Sequence, residues 1–274
     1  MNTKIEKPLG IYACRVGLSF GLSIGLVAFA GSSLQEASFT IDRGAIVRGS
    51  TDQPRIALEF TGDQFAEGAT AILEALKARE VKASFFVTGR FLRNPAFRDV
   101  IVRIRQEGHF LGPHSDQHVL YASWDQPPRL LVTQAQFKTD MRANMRELAR
   151  LGLASAQARF FLPPYEHYTE EIARWAGEEG LKLFDHTPGT RSHTDYMEDQ
   201  DPHFQSAASI FDSIVKAEQN DPHGLNGYLL LMHLGAGPKR TRDHPYERLG
   251  ALLDRLHARG YQLVRVDELL AARP

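Results

Sequence analysis

The chain has 274 residues, of which 43% are hydrophobic and 24% are charged, a composition typical of a globular protein. Its formal net charge is -1, which excludes the basic field by which proteins bind nucleic acid. This length suits one large domain or two small ones.

The first thirty residues have the pattern of a secretory signal peptide. Lys4, Lys7 and Arg15 precede an apolar run over residues 16–30, which ends in Ala28-Phe29-Ala30. The run is shorter than the roughly 20 residues of a membrane-spanning helix, although an uncleaved membrane anchor is the alternative. We predict cleavage after residue 30. The mature protein would then be exported, periplasmic or secreted, and free of the membrane.

Cys14 is the only cysteine and lies within this predicted signal peptide. The mature protein is therefore expected to have neither disulfides nor thiolate chemistry. We assign residues 1–30 to the signal peptide, 31–54 to an N-terminal leader with a short strand, and 55–274 to one domain.

From the short strand of the leader onward, short apolar strands alternate with longer stretches of helical period. In chain order, the first half is predicted to contain strands Ala45–Val47 and Ile56–Phe60, a helix near Phe65–Arg79, strand Ala83–Val87, a helix from Pro95 capped by Asn94, and strand Phe110–Pro113. The second half is predicted to contain a helix opened by a Thr133-x-x-Gln136 capping box, strand Phe160–Leu162, a helix capped by Thr169, strand Leu181–Asp185, a helix around Ile210–Val215, strand Leu229–His233, a helix around Leu249–Leu256, and strand Gln262–Val266.

This alternation predicts the fold class. Repeated βα units imply a parallel sheet, because each crossover returns the chain in the same direction. About seven such units are enough to close a barrel. An open, doubly wound sheet is the alternative.

Polar residues follow the predicted strands. In parallel α/β folds, functional groups collect where strands end. The segments at these points are Thr61-Gly62-Asp63, His114-Ser115-Asp116-Gln117-His118, Pro163-Pro164-Tyr165-Glu166, Asp185-His186 and His233. We expect them to share one rim of the sheet.

His114 and His118 are four residues apart. On a helical turn, this spacing would place both imidazoles on one side, within reach of a common ion. Two histidines and a carboxylate suit Zn²⁺, and Co²⁺ or Ni²⁺ would fit as well. Such an ion activates water and polarises a carbonyl. The alternative is a pair of surface or capping histidines.

His233 and Tyr165 are candidates for acid catalysis and oxyanion binding. His233 follows a buried strand and could protonate a leaving amine or alkoxide; the alternative is a core histidine bonded to a backbone carbonyl. Leu231, on the same strand, could form an apolar pocket for an acetyl methyl group.

Pro163-Pro164 fixes a rigid loop that could present the Tyr165 N–H to an oxyanion, or could simply be a stiff turn. Trp124 could stack on a sugar ring or cover core.

These segments, in this order, resemble the polysaccharide deacetylases of carbohydrate esterase family 4, from about Gly44 to Leu270. The most specific matches are Gly112-Pro113-His114-Ser115-x-x-His118 and Leu231-x-His233. The resemblance implies a distorted (β/α)7 barrel of a single domain. The roles it implies are metal ligation by His114 and His118, general acid catalysis by His233, an oxyanion hole at the Tyr165 backbone, and an acetyl pocket at Leu231.

The first motif departs from the family pattern. The family's Thr-Phe-Asp-Asp-Gly carries the base and then a metal ligand, whereas this chain reads Glu59-Phe60-Thr61-Gly62-Asp63-Gln64. Aligned on Phe60, Thr61 takes the base position and Gly62 the metal position. Aligned on Thr61, Asp63 takes the base position and Gln64 the metal position. In either register Asp63 is the remaining carboxylate.

The third motif departs as well. The family's arginine, which holds the base, is replaced by Leu162, and the glycine after the tyrosine by Glu166. An arginine with no base to hold would be a buried unpaired charge, so the joint loss favours the register on Phe60. We hypothesise that Asp63 completes the metal site. The base role would then pass to Glu166, to Asp116 or to metal-activated water, and Asp63 itself remains a catalytic candidate.

The predicted function is metal-dependent hydrolysis of N- or O-acetyl groups on an acetylated polysaccharide. A non-catalytic carbohydrate-binding barrel that has lost its base is the first alternative. A different metal hydrolase on the same scaffold, acting on a phosphoester or a non-glycan amide, is the second.

Overall fold

The computed structural model describes residues 39–154 and 156–271. The predicted signal peptide, residues 1–30, lies outside the described residues, and so do residues 31–38 of the predicted leader. The strands are β1 Thr40–Asp42, β2 Ala45–Arg48, β3 Arg55–Gly62, β4 Ser84–Val87, β5 Phe110–Pro113, β6 Phe160–Phe161, β7 Lys182–Leu183, β8 Leu229–His233 and β9 Gln262–Val264.

Helices separate most of these strands. They are α1 Ala69–Lys77, α2 Gly89–Arg93, α3 Arg98–Gln106, α4 Gln134–Arg150, α5 Glu170–Glu178, α6 Ala207–Asn220, α7 Leu249–Ala258 and α8 Val266–Leu269. Between residues 39 and 271, leaving out the undescribed residue 155, we find no helix with the length and apolar character needed to cross a membrane.

The central sheet is parallel and is built around β3. Strands β4 and β8 flank β3, β5 pairs with the far edge of β4, and β9 pairs with the first residues of β3. Strands β6 and β7 form a separate parallel pair. This arrangement confirms the predicted α/β class with a parallel sheet.

The central sheet and the β6–β7 pair are not joined by a continuous ladder among the described strands. A single parallel bridge joins Ile46, on β2, to Phe184, just after β7. Beyond it, Thr187 donates from its hydroxyl to Val47 O at 2.7 Å and from its backbone N–H to Leu229 O at 2.9 Å. The Thr187 hydroxyl and a few backbone hydrogen bonds therefore connect β2, the segment after β7, and β8. The barrel prediction had expected continuous strand pairing there.

The two faces of β3 are buried differently. Ile56, Leu58 and Phe60 point into the apolar layer beneath the helices. Ala57 points to the opposite face, which packs against aromatic side chains such as Phe86. Because side chains alternate along a strand, Glu59 and Thr61 share the face of Ala57 and lead toward the carboxyl end of the sheet.

Most predicted elements are confirmed, with specific differences. Strands Phe110–Pro113 and Leu229–His233 have the predicted bounds, and Thr133 forms the predicted capping box with Gln136. The predicted helix near Phe65–Arg79 begins only at Ala69. Asn94 caps a single 3-10 turn that leads into α3. The structure adds the short helix α2 and the hairpin strand β1, both too short to give a periodic signal.

Candidate functional site

A cavity of about 350 Å³ opens at the carboxyl ends of β3, β5, β6 and β8. Seven predicted site residues line it: Asp63, His114, His118, Trp124, Tyr165, Glu166 and His233. Segments that are far apart in sequence therefore meet at one rim, as the strand-end argument predicted.

His114 is fixed from two sides. Its backbone N–H donates to the side chain of Asn144 on α4 at 2.9 Å. Its Nδ1 lies 2.7 Å from the carbonyl oxygen of Leu162. Because a carbonyl can only accept, Nδ1 carries the proton and Nε2 keeps a free lone pair. Burial, reinforced by the nearby His118, holds the pKa of His114 well below its ordinary value, so the ring is neutral.

His118 reaches the cavity through a loop. The prediction of a helical turn between the two histidines was wrong, because Ser115 and His118 have φ angles of 69° and 55°. The Ser115 hydroxyl accepts from the His118 N–H at 2.8 Å and stabilises this loop. The His114 and His118 ring centroids are nevertheless 5.0 Å apart. Burial lowers the pKa of His118 to about 4.

Asp63 lines the cavity but is engaged by an arginine. Arg90, in α2, donates to both oxygens of the Asp63 carboxylate. The Thr88 hydroxyl donates to one of them at 2.9 Å. Arg90 was not a predicted site residue, although it lies just after β4, where the strand-end rule could have drawn attention to it.

The two imidazoles fit a divalent metal, because each neutral ring is a ligand of the type that Zn²⁺ prefers. The Leu162 carbonyl at Nδ1 is also the kind of partner that orients metal-binding histidines. The Asp63 carboxylate does not fit the role of a third metal ligand in this arrangement, because both of its oxygens accept hydrogen bonds from Arg90. Consistently, the described part of the chain contains no group of three His, Cys, Asp or Glu side chains arranged to hold a metal.

His233 is paired with Asp195, which was not a predicted site residue. Its Nδ1 lies 2.6 Å from Asp195 Oδ1, and its backbone N–H donates to Asp195 Oδ2 at 2.8 Å. Burial by itself lowers the pKa of His233, but the Asp195 carboxylate raises it, and the pKa lies above its ordinary value. Since Asp195 occupies Nδ1, Nε2 is the nitrogen available for proton transfer.

Tyr165 and Glu166 form an unusual turn after β6. Their φ angles are 61° and 51°, the left-handed region that glycine adopts freely and other residues rarely. The Tyr165 ring packs on His118, with centroids 4.5 Å apart. Burial raises the pKa of Glu166 to about 7, against the opposing effect of His233.

A second histidine–aspartate pair lies near the first. His186 Nδ1 is 2.8 Å from Asp185 Oδ1, and the His186 ring packs against the His193 ring in a tilted arrangement, with centroids 4.4 Å apart. Burial lowers the pKa of His186, but the bond to Asp185 more than offsets this, and the pKa is raised. Asp185-His186 was predicted to lie at a strand end, but no role was predicted for it.

Glu59 is a buried carboxyl below the site. It is fully buried on β3, and neither oxygen has a hydrogen-bond partner among the described residues. Burial raises its pKa well above the ordinary value, and the carboxylates of Asp185 and Glu166 raise it further. The neutral form is therefore favoured.

Two predicted candidates lie away from the cavity. Leu231 is fully buried in the core on β8, two residues before His233, and does not line the cavity. Asp116 is bonded by both oxygens to Arg93, at 2.6 and 3.0 Å, and lies on the side facing α4. Neither position supports the role first considered, the acetyl pocket for Leu231 and the base for Asp116.

Exposed aromatic side chains surround the cavity. Phe65, Trp124, Tyr165 and Tyr196 are the large aromatic residues that are exposed in the described chain. All four line this cavity. Trp124 is 62% exposed while its ring stacks on His167, with centroids 4.1 Å apart. A flat, supported indole face at a groove is suited to stacking on a sugar ring.

Comparison with known proteins relates this architecture to one family. A sequence model described as polysaccharide deacetylase matches residues 48–184, half of the chain. Peptidoglycan-N-acetylglucosamine deacetylase of Bacillus cereus is 28% identical over 135 residues, which cover 49% of this chain and 45% of that protein. The chain spans 38% to 60% of the length of three curated relatives that it matches.

Solved structures agree on the fold. PdaA of Bacillus subtilis, a family 4 carbohydrate esterase, superposes with a TM-score of 0.63 at 21% identity, covering 83% of this chain and 85% of that one. A pseudoenzyme of the same family from Bacillus anthracis gives a TM-score of 0.62 at 19% identity, covering 84% and 70%. At these identities the likeness shows the shared fold.

Proposed function

Since the chain belongs to the polysaccharide deacetylase family, we propose that it hydrolyses N- or O-acetyl groups on an acetylated polysaccharide, in a metal-dependent reaction outside the cytoplasm. One observation carries this proposal: His233, held by Asp195, shares a cavity with the His114–His118 pair and the Tyr165 turn. A cell-wall glycan is the favoured substrate class, because the matched Bacillus cereus protein is named for peptidoglycan N-acetylglucosamine.

The aromatic rim binds the substrate. Trp124 and Tyr196 offer exposed aromatic faces on which sugar rings stack. The cavity of about 350 Å³ is large enough for one substituted sugar unit, with the chain continuing along the rim.

The cavity residues then divide the acid–base work. A carboxylate takes a proton from the attacking water, whose oxygen forms a bond to the acetyl carbon. The Tyr165 N–H stabilises the negative charge that develops on the former carbonyl oxygen. When the bond from the acetyl carbon to the sugar nitrogen or oxygen breaks, His233 Nε2 protonates the departing atom.

A divalent metal, Zn²⁺ in the first instance, would be held by His114 and His118, with Asp63 as the third ligand hypothesised from the sequence. When bound, the metal supplies polarisation of the acetyl carbonyl and a lower pKa for water. The lone pair left free on His114 Nε2 by the Leu162 carbonyl supports this assignment.

A binding protein without activity is the second candidate. It is favoured by the absence of carboxylates at Thr61 and Gly62 and by the ion pair that engages Asp63. The Asp195–His233 pair argues for the enzyme, because a binding groove gains nothing from an imidazole poised to donate a proton.

Acetate release tests the proposal. The protein spanning residues 31–274 would be incubated with N- and O-acetylated glycans, including peptidoglycan and chitin oligomers, with and without a chelator. We expect release that chelation abolishes and added Zn²⁺ restores. If the folded protein binds a glycan but releases no acetate, the binding candidate is correct. Mass spectrometry of the exported protein would test cleavage after residue 30.

A further inference from the structure

The cavity needs a base, and its carboxylates differ in how they are held. Both oxygens of Asp63 accept bonds from Arg90. The Glu166 carboxylate lines the same cavity, and among the residues that the structure describes no group donates a hydrogen bond to it. Glu166 is therefore the carboxylate whose oxygens are open to a water molecule.

The backbone of Glu166 adopts the left-handed conformation. Its φ of 51° follows directly on the φ of 61° at Tyr165. A residue with a Cβ loses roughly 1–2 kcal/mol in this left-handed region relative to glycine. The turn is held by the Glu166 N–H, which donates to Pro163 O at 3.1 Å. A glutamate at a position whose backbone suits glycine indicates that the carboxylate itself is needed.

Two histidine–aspartate pairs surround Glu166. The Asp195–His233 pair, at 2.6 Å, and the Asp185–His186 pair, at 2.8 Å, both act on Glu166 electrostatically. Two imidazoles that can carry positive charge offset the repulsion from neighbouring carboxyls. The pKa of Glu166, about 7, is suited to accepting a proton near neutral pH.

We infer that Glu166 is the general base of this site, replacing the carboxylates absent from the end of β3, and that the Asp185–His186 pair positions it. The inference rests on the deacetylase function proposed above. Glu166 takes one proton from water as the water oxygen bonds to the acetyl carbon, and the carbonyl electron pair moves onto the oxygen. Collapse breaks the bond to the sugar, and His233 supplies a proton to the departing atom. Solvent then takes the proton from Glu166 and returns one to His233, which restores both groups.

Two substitutions separate the chemistry from the backbone. Glu166→Gln keeps the left-handed backbone and removes the proton acceptor. Glu166→Gly removes the acceptor and also relieves the backbone. We expect both to lower kcat for acetate release by about 10²–10⁴-fold, the range for a positioned base. We expect only Glu166→Gly to raise the thermal midpoint, by about 2–4 °C, when unfolding is measured at pH 5, where the carboxyl is protonated.

Glu80 offers a matched control. It is an exposed glutamate with a φ of 55°, in the turn three residues after α1 and outside the cavity. Glu80→Gly should raise the midpoint similarly and leave acetate release unchanged. Added formate should restore part of the activity of Glu166→Gly, because it can occupy the vacated space. It should not restore His233→Ala.

The pH dependence of kcat tests the positioning role of the Asp185–His186 pair. His186→Gln should move the acid limb of the pH–kcat profile to higher pH, because Glu166 loses a positive neighbour. A purely structural role of His186 would lower the midpoint without moving that limb.

The outcomes are distinguishable. Active wild type together with fully active Glu166→Gln would overturn the base assignment and leave the deacetylase function standing. A midpoint that rises for Glu80→Gly and not for Glu166→Gly would overturn the backbone argument. No acetate from folded wild-type protein would overturn the proposed function, and the inference with it.

Discussion

His233 and Asp195 are joined by two hydrogen bonds, one from the imidazole Nδ1 at 2.6 Å and one from the backbone N–H at 2.8 Å. The two residues are 38 positions apart in the chain. The double contact fixes the tautomer and leaves Nε2 free of Asp195, in a ring that lines the cavity. The pair therefore has the geometry of a positioned general acid.

Replacing Asp195 should impair that acid. We expect Asp195→Asn to lower kcat by about 10- to 100-fold, part of the roughly 10²–10⁴-fold that a positioned acid contributes. Without the carboxylate, the pKa of His233 should fall, and the alkaline limb of the pH–kcat profile should move to lower pH. Asp254→Asn, which removes only a surface pair with Arg79, is the control. An unchanged profile for Asp195→Asn would contradict the assignment.

Activity should have a bell-shaped dependence on pH. It should rise through about pH 7 as Glu166 loses its proton, since burial raises its pKa to about 7. It should fall above the raised pKa of His233, as the acid loses its proton. The groups that act on Glu166 are His233, His186, Asp185, Asp195 and the buried Glu59. Initial rates of acetate release across pH 5 to about pH 10 check this; a flat profile near pH 7 would exclude Glu166.

Metal affinity should depend on the two histidines and be limited by Arg90. We expect His114→Ala to abolish Zn²⁺ binding in isothermal titration calorimetry. Arg90→Gln should strengthen binding, because it frees the Asp63 carboxylate. Asp63→Asn should then weaken binding in the Arg90→Gln background. If Arg90→Gln weakens binding instead, Arg90 orients Asp63 and the two do not compete.

Trp124 should contribute to substrate binding. We expect Trp124→Ala to raise KM for a glycan about fivefold with little change in kcat, since a stacked aromatic face contributes about 1 kcal/mol. Leu131→Ala is a matched control, because Leu131 is 51% exposed on the same loop and does not line the cavity. Equal effects of the two substitutions would mean that the loop acts through its fold.

The interior aromatic cluster should dominate stability. Phe86 is fully buried and packs against Phe110 and Phe184, with ring centroids 5.5 and 4.9 Å away. Phe86→Ala should lower the free energy of unfolding by about 3–5 kcal/mol, because it leaves a cavity. Val102→Ala, on the exposed face of α3, should change it by less than about 0.5 kcal/mol. Urea unfolding followed by circular dichroism measures both.

The sequence alone predicted the α/β class and most of the rim, because these depend on local patterns. Strand Leu229–His233 is a continuous apolar run that ends in a polar residue, and Thr133 and Gln136 form a capping box within one turn. A strand that ends in a functional residue places it at the carboxyl edge of a parallel sheet wherever its neighbours lie. The placement of His114, His118 and His233 at this rim was predicted in this way.

Only the tertiary structure decided what each of these residues contacts. Asp195 reaches His233, and Arg90 reaches Asp63, across loops that bring together residues with no shared period or spacing. The left-handed turn at Glu166 could not be predicted from the sequence either, since a glutamate gives no local signal for a positive φ. Hydrogen bonding and burial, which set the protonation and direction of each side chain, depend on distances in space. Patterns along the chain do not contain those distances.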